Sequence, residues 1–381
     1  MKRMATVLLA LLAIALVVAG CKGPEGPAGP QGPAGPQGPA GPAGSGFNME
    51  GYADSIVCGS CHTIDIDTTF FVAARVYQWQ ASKHAYGGDY ERNSASCSGC
   101  HSAEGFIRRM NGLAARDILQ PSPMGCFACH SPHLRADFTL RTVAPVTIES
   151  QIVGVADANF NYGPANLCVQ CHKTRTMSPK MDGAAAGDSL KITTSRWYAH
   201  YGVQGQMLMG TGGFQFPGYT YTGNSYHSGA TAIQQGGCRI CHMPAPVGGG
   251  AGRAGGHTMN LTYEAEGNET ELVLGCKTSG CHPSSFSTLN YNGVQTEVET
   301  LLDSLFLMLG RRGWVDTVQS SSNYGLVRAS SSAPLVIRPA IRAGAIYNFY
   351  FAEHDLSLGV HNTRYATELL RSSIEHLNAN P

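Results

Sequence analysis

Cys238-Arg239-Ile240-Cys241-His242 is the stretch from which the rest of the chain can be read. The same pattern recurs at Cys58-Gly59-Ser60-Cys61-His62, Cys97-Ser98-Gly99-Cys100-His101, Cys126-Phe127-Ala128-Cys129-His130 and Cys168-Val169-Gln170-Cys171-His172. A sixth copy is widened, Cys276-Lys277-Thr278-Ser279-Gly280-Cys281-His282. A disulfide framework or a zinc site accounts for paired cysteines, but not for a histidine after every pair. Two thioethers to the vinyl groups of a haem, with the adjacent imidazole on the iron, account for all three residues. The pattern therefore predicts six covalently bound c-type haems. Cys58, Cys61, Cys97, Cys100, Cys126, Cys129, Cys168, Cys171, Cys238, Cys241, Cys276 and Cys281 are the attachment points. His62, His101, His130, His172, His242 and His282 are the proximal iron ligands.

The chain has 381 residues and 13 cysteines, so the six pairs leave Cys21 alone. Lys2 and Arg3 precede an apolar run that ends in Val18-Ala19-Gly20-Cys21. A basic start, a short apolar core and small residues before a cysteine read as a signal peptide over 1–20, with lipidation at Cys21. The run is short for a transmembrane helix. Lys22 after the cysteine is similar to lipoproteins sorted to the outer membrane. The expected location is thus that of an exported bacterial lipoprotein, on the periplasmic or cell-surface face, held by its lipid anchor. Only 14 % of residues are charged and the formal net charge is zero. Ordinary domains carry about 25 % charged residues, and neutrality removes any electrostatic case for a nucleic-acid partner.

From Gly23 to Gly44 a glycine stands at every third position, mostly followed by proline. Only glycine fits the axis of a three-chain polyproline superhelix, so this period is collagen-like. It reads as a stiff stalk over 21–46, reaching roughly 65–70 Å in a polyproline conformation. The same repeat leaves a homotrimer open.

Fourteen histidines less the six proximal ones leave His84, His133, His200, His227, His257, His354, His361 and His376. One distal histidine per haem would close every iron and leave two spare. A second histidine lowers the potential and shuts out substrate, whereas methionine would raise it. The count favours electron transfer over catalysis.

Residues 168–282 resemble the later haem segments of the ammonia-forming cytochrome c nitrite reductase and its octahaem hydroxylamine-oxidoreductase relatives. The carrying pieces are Cys168 to His172, Gln215-Phe216-Pro217-Gly218-Tyr219, and Tyr226-His227-Ser228-Gly229. They continue with Cys238-Arg239-Ile240-Cys241-His242-Met243-Pro244 followed by His257, the sixth motif, and Gly359-Val360-His361-Asn362. The resemblance implies distal partners: His84 for the haem of His172, His257 for that of His130, His361 for that of His242, and His227 for that of His282. His133 and His200 are left for the haems of His62 and His101, in unassigned order. The haem at Cys58 has no counterpart in the five-haem enzyme.

The same resemblance argues against a reductase. That family's active haem takes a lysine as proximal ligand, yet the matching motif here ends in His101. Its active-site histidine falls on Phe216, its tyrosine on Arg175 and its calcium-binding glutamate on Thr174. Phenylalanine can neither ligate nor transfer a proton. The expected function is a hexahaem conduit between periplasmic or surface redox proteins and external acceptors. The alternative is a reductase or oxidase of a small nitrogen or sulfur compound at the haem of His101, with Arg175 as anion clamp. A filament with distal histidines crossing between copies is a third arrangement.

Val294, Val298, Leu301, Leu302, Leu305, Phe306 and Leu309 recur at helical spacing and stop near Gly310. Ala340–Ala352 and Tyr365–Leu377 read as two more helices, with Tyr365, Leu369, Leu370, Ile374 and Leu377 on one face. His354 and His376 read as surface residues. The glycine-rich stretch 202–237 reads as neither helix nor strand. The expected fold is mostly α with extensive loops, a multihaem cytochrome c fold organised by its haems and needing little conventional core. Its divisions are a haem-binding domain over 47–290 and a C-terminal helical segment over 291–381 that packs on the haems and supplies a distal histidine.

Overall fold

A computed structural model describes residues 72–380, apart from 88, 131–137, 224–225, 247, 249 and 278–280. The expected signal peptide, Cys21, the stalk, the first motif (Cys58, Cys61, His62) and His133 lie outside the described residues. The described residues fall in one compact unit.

The first helices are α1 (Val72–Gln80) and α2 (Lys83–Tyr86), then α3 (Ser98–His101) and α4 (Ala103–Met110). Next come α5 (Cys126–Cys129) and α6 (Ala165–Val169), with strands β1 (Val146–Ile148) and β2 (Ala158–Phe160) between them. Strand β3 (Leu190–Ile192) precedes α7 (Gln204–Met209), α8 (Tyr226–Gly229), α9 (Thr231–Gly236) and α10 (Cys238–His242). The hairpin β4 (Thr262–Ala265) and β5 (Asn268–Glu271) leads into α11 (Leu274–Lys277). The chain closes with α12 (Val294–Arg311), β6 (Leu335–Ile337), α13 (Ala343–Glu353) and α14 (Thr363–Ala379). Helices and loops dominate. The strands form three antiparallel pairs, β1 with β2, β3 with β6 and β4 with β5.

The three C-terminal helices follow the apolar periodicity of the sequence. Helix α12 buries Val298, Leu302, Leu305 and Leu309 at successive spacings of four, three and four, the stripe expected of an amphipathic helix. Helix α14 buries Tyr365, Leu369, Leu370 and Leu377. Between them α13 is buried from Ala343 to Ala352 on every side, as an all-round apolar helix must be. Asn362 caps α14: its side chain accepts from the Tyr365 amide at 3.2 Å and donates to the Gly223 carbonyl at 3.3 Å. Asn362→Ala should cost about 1–2 kcal/mol, read from the midpoint of urea unfolding; a change within about 0.5 kcal/mol, the range of ordinary surface substitutions, would show that the cap is idle.

Two expectations fail here. Stretch 202–237 is not featureless, for it holds α7, α8 and α9. Its helices are too short for periodicity to register and are held by tertiary partners. Asn348 on α13 accepts from the Phe214 amide and donates to its carbonyl, while Glu368 on α14 accepts from the amide and hydroxyl of Thr222. Nor is a conventional core lacking. Trp197, Met207, Phe216, Leu305, Tyr347, Phe351 and Tyr365 are buried in one continuous cluster that joins α12–α14 to residues 152–216. The N-terminal motif region has only small clusters, such as Ala103, Phe106, Ala128 and Leu167.

Candidate functional site

Each tight motif within the described residues builds a helical turn. The histidine amide returns to the first cysteine's carbonyl, at 3.2 Å for His101 to Cys97, 2.8 Å for His130 to Cys126 and 3.0 Å for His172 to Cys168. The widened motif closes in the same way, with the His282 amide 3.1 Å from the Cys276 carbonyl. The longer spacer thus keeps the first cysteine and the histidine in the relation seen elsewhere. None of the ten described motif cysteines is paired in a disulfide.

Neighbouring motifs abut. Arg109 on α4 reaches the Sγ atoms of Cys100 and Cys171 at 3.4 and 3.8 Å, bridging the second and fourth motifs. Cys238 packs against the cluster that holds Ala165 and Val169 of α6, which joins the fourth and fifth. Two glycines permit this closeness. Gly237, at φ +54° just before Cys238, would put a Cβ 2.1 Å from that of Ala165 on α6. A Cβ on Gly275 would stand 2.3 Å from the Ile240 carbonyl oxygen, so glycine lets α11 lie against α10.

Five motif histidines each face a histidine from elsewhere in the chain. His84 faces His172 with ring centres 6.3 Å apart, His101 faces His200 at 6.0 Å, and His130 faces His257 at 6.2 Å. His227 faces His282 and His242 faces His361, both at 6.3 Å. Aromatic rings in ordinary contact also lie about 4.5–7 Å apart, so one such value decides nothing. Five values this close, every one between a motif and a non-motif histidine, are a repeated construction. Two imidazoles held by one metal atom from opposite sides, each nitrogen about 2.0–2.1 Å from it, have ring centres about 6 Å apart. The pairs therefore have the separation that a bis-histidine iron requires, beside thiols able to carry the macrocycle. Among the described residues no group of three or more His, Cys, Asp or Glu converges. His200, left open between two haems by the sequence, stands across from His101; His62 lies outside the described residues.

Different elements deliver the non-motif members. Ser82 caps α2 by accepting from the Ala85 amide and so fixes the turn that carries His84. Gln78 on α1 accepts from the His257 amide at 3.2 Å, while Trp79 donates to the Met124 carbonyl at 2.8 Å. One helix thereby draws His257 to the motif of His130. His200 sits at φ +69°, a left-handed conformation costing about 1 kcal/mol. The Ala199 carbonyl holds it there by accepting from the Arg175 amide at 3.1 Å.

Hydrogen bonds at Nδ1 leave Nε2 to face the gap. His130 Nδ1 lies 2.6 Å from the Phe138 carbonyl, His242 Nδ1 3.1 Å from that of Met259, and His172 Nδ1 3.3 Å from Gln204 Oε1. His361 Nδ1 lies 2.8 Å from Asp355 Oδ1. Burial lowers the pKa of His84, His200 and His257 to about 4, with nearby cationic or histidine groups adding to the effect. At neutral pH these rings are uncharged and keep the lone pair a ligand needs. For His361, burial opposes the charged ring, but the Asp355 carboxylate carries the pKa above its usual value.

Between the second and fourth motifs lies a cavity of about 240 Å³ bordered by Cys97, Cys100, Cys171, Arg109, Lys173 and Arg175. Its lining includes no carboxylate, so it suits a group bearing negative charge. Arg175 donates to the Ser96 carbonyl at 3.0 Å. Phe216 is enclosed in the core, stacked on His376 with ring centres 4.3 Å apart. The Thr174 amide donates to the buried Gln206 side chain at 3.0 Å. These positions are taken up by packing and backbone support.

His354 and His376 depart from the surface role read from sequence. His354 is buried against Tyr198, Tyr201 and Tyr350, because α13 carries it into the core at its last turn. His376 is half-buried on Phe216. Sequence reasoning missed Asp355, Gln204 and the supporting carbonyls, since no local pattern links a supporting acceptor to its imidazole. No protein-family model, curated protein or solved structure matches the chain.

Proposed function

We propose that the protein is a hexahaem c-type cytochrome that carries electrons through bis-histidine, low-potential haems. In this reading it is related to the nitrite reductase and hydroxylamine oxidoreductase superfamily but is not itself a reductase. The observation that carries the reading is the set of five histidine pairs at 6.0–6.3 Å, each beside a cysteine pair. Haem when bound supplies a one-electron iron couple, and its faces bury the apolar surface that the sparse N-terminal clusters leave uncovered. The chain's own residues would attach, orient and ligate it: the cysteines would bond it covalently, the motif and non-motif histidines would hold its iron, and the Nδ1 acceptors would fix the imidazole rings.

His200 opposite His101 supports closure of the site where the reductase alternative would need an open iron. The N-terminal signals complete the proposal. Cys21 would be lipidated, the Gly-Pro stalk would hold the haem region away from the outer membrane, and redox proteins or extracellular acceptors would be the partners. The collagen-like repeat leaves a homotrimer open, and distal histidines crossing between copies would make a filament. The test is the haem content of purified full-length protein, by pyridine haemochrome and intact mass. Six covalent haems per chain are expected. Five would remove the widened motif or the first one from the account, and none would overturn the reading.

A further inference from the structure

The supporting acceptors of the paired histidines differ in charge. Those of His130 and His242 are backbone carbonyls and that of His172 is a side-chain amide. His257 Nδ1 is buried with no partner. His361 alone among these has a carboxylate. Asp355 is 2 % exposed, and its only ion-pair partner among the described residues is His361. Its second oxygen accepts from the Ser357 hydroxyl, which in turn accepts from the His361 amide at 3.2 Å. A buried carboxylate without a lysine or arginine beside it is costly, yet this one is held by two hydrogen-bonded groups, the Ser357 hydroxyl and the His361 ring. We propose that Asp355 is a positioning residue that gives the iron site of His242 and His361 the most negative reduction potential of the five paired sites.

This rests on the haem reading above. An anionic acceptor at Nδ1 makes the imidazole a stronger donor. A negative charge in a poorly screened interior also favours the more positive, oxidised iron. Both effects act in the same direction. His242 adds a carbonyl acceptor on the other side, so both rings of this site are supported. The site of His130 and His257, with one Nδ1 unaccepted, lies at the other end of the range. His361 interacts electrostatically with both His172 and His227, members of two other pairs.

The experiment is a redox titration of the full-length holoprotein, followed by optical and EPR spectra, on wild type, Asp355→Asn, Asp355→Glu and Ser357→Ala. In Asp355→Asn the most negative component should move positive, with at least a tenfold change in its oxidised-to-reduced ratio at fixed potential, about 59 mV for one electron. The other components should stay in place. Asp355→Glu, which restores the charge, should return much of the shift. Ser357→Ala strips a donor from the carboxylate and should move the same component negative, which decides the matter even if the asparagine variant does not accumulate. Unchanged potentials in variants that retain their haems, or movement of a component other than the most negative, would overturn the proposal. A wild-type protein without haem would instead overturn the reading beneath it.

Discussion

Replacing His200 by alanine is expected to convert one haem from low-spin to high-spin while the others keep their spectra. His200 is the residue facing His101 at 6.0 Å, and its aromatic neighbours are engaged with one another. Tyr201 packs on its ring and donates or accepts with Tyr198 at 2.9 Å, while His354 is enclosed by the same tyrosines. The vacated position should admit carbon monoxide or cyanide, which the parent should bind poorly. His200→Met should instead keep a sixth ligand and raise that haem's potential, since axial ligands span a range of about 0.8 V. Optical spectra of the ferrous protein with and without carbon monoxide measure the effect. An unchanged spectrum in the alanine variant would mean that His200 is not an axial ligand.

Trp197→Ala is expected to cost about 3–5 kcal/mol, the range for deleting a large buried aromatic side chain. Trp197 has no exposed surface. Its Nε1 donates to the Pro179 carbonyl at 2.8 Å, and its ring lies edge-on to Tyr347 of α13 at 6.4 Å. The loss therefore combines a cavity with a carbonyl left without its donor. Guanidinium unfolding of the holoprotein measures it; a loss below about 1 kcal/mol would mean that the core around α13 collapses around the gap. Trp197 is also three residues from His200, so the variant should broaden the spectral signature of the His101 site before the others. That coupling would link the large residue core to the ligand geometry.

What the sequence made legible is what is local. The two thiols and the imidazole of each motif lie within one or two turns, so spacing alone identifies them, and even the widened motif returns its histidine amide to Cys276. The last three helices were legible because Val298, Leu302, Leu305 and Leu309 repeat over enough turns to mark a face. The non-motif histidines were not legible from spacing, because His257 and His130 or His361 and His242 are brought together only by the fold. Resemblance suggested partners for four motif histidines and left His200 between two. His354 reads as the polar end of a helix until Tyr198, Tyr201 and Tyr350 are seen to enclose it. Asp355 reads as a loop acid until its carboxylate is found against His361. In both cases the decisive neighbour lies on another element or in an irregular turn, where no period reports it.

The EPR spectrum of the oxidised, full-length protein tests the central claim most directly. If every iron is held between two histidines, only low-spin ferric signals should appear, integrating to six per chain, with no high-spin component. A high-spin signal of about one spin per chain, sharpened or shifted by a small anion, would contradict the account and restore a substrate-binding haem.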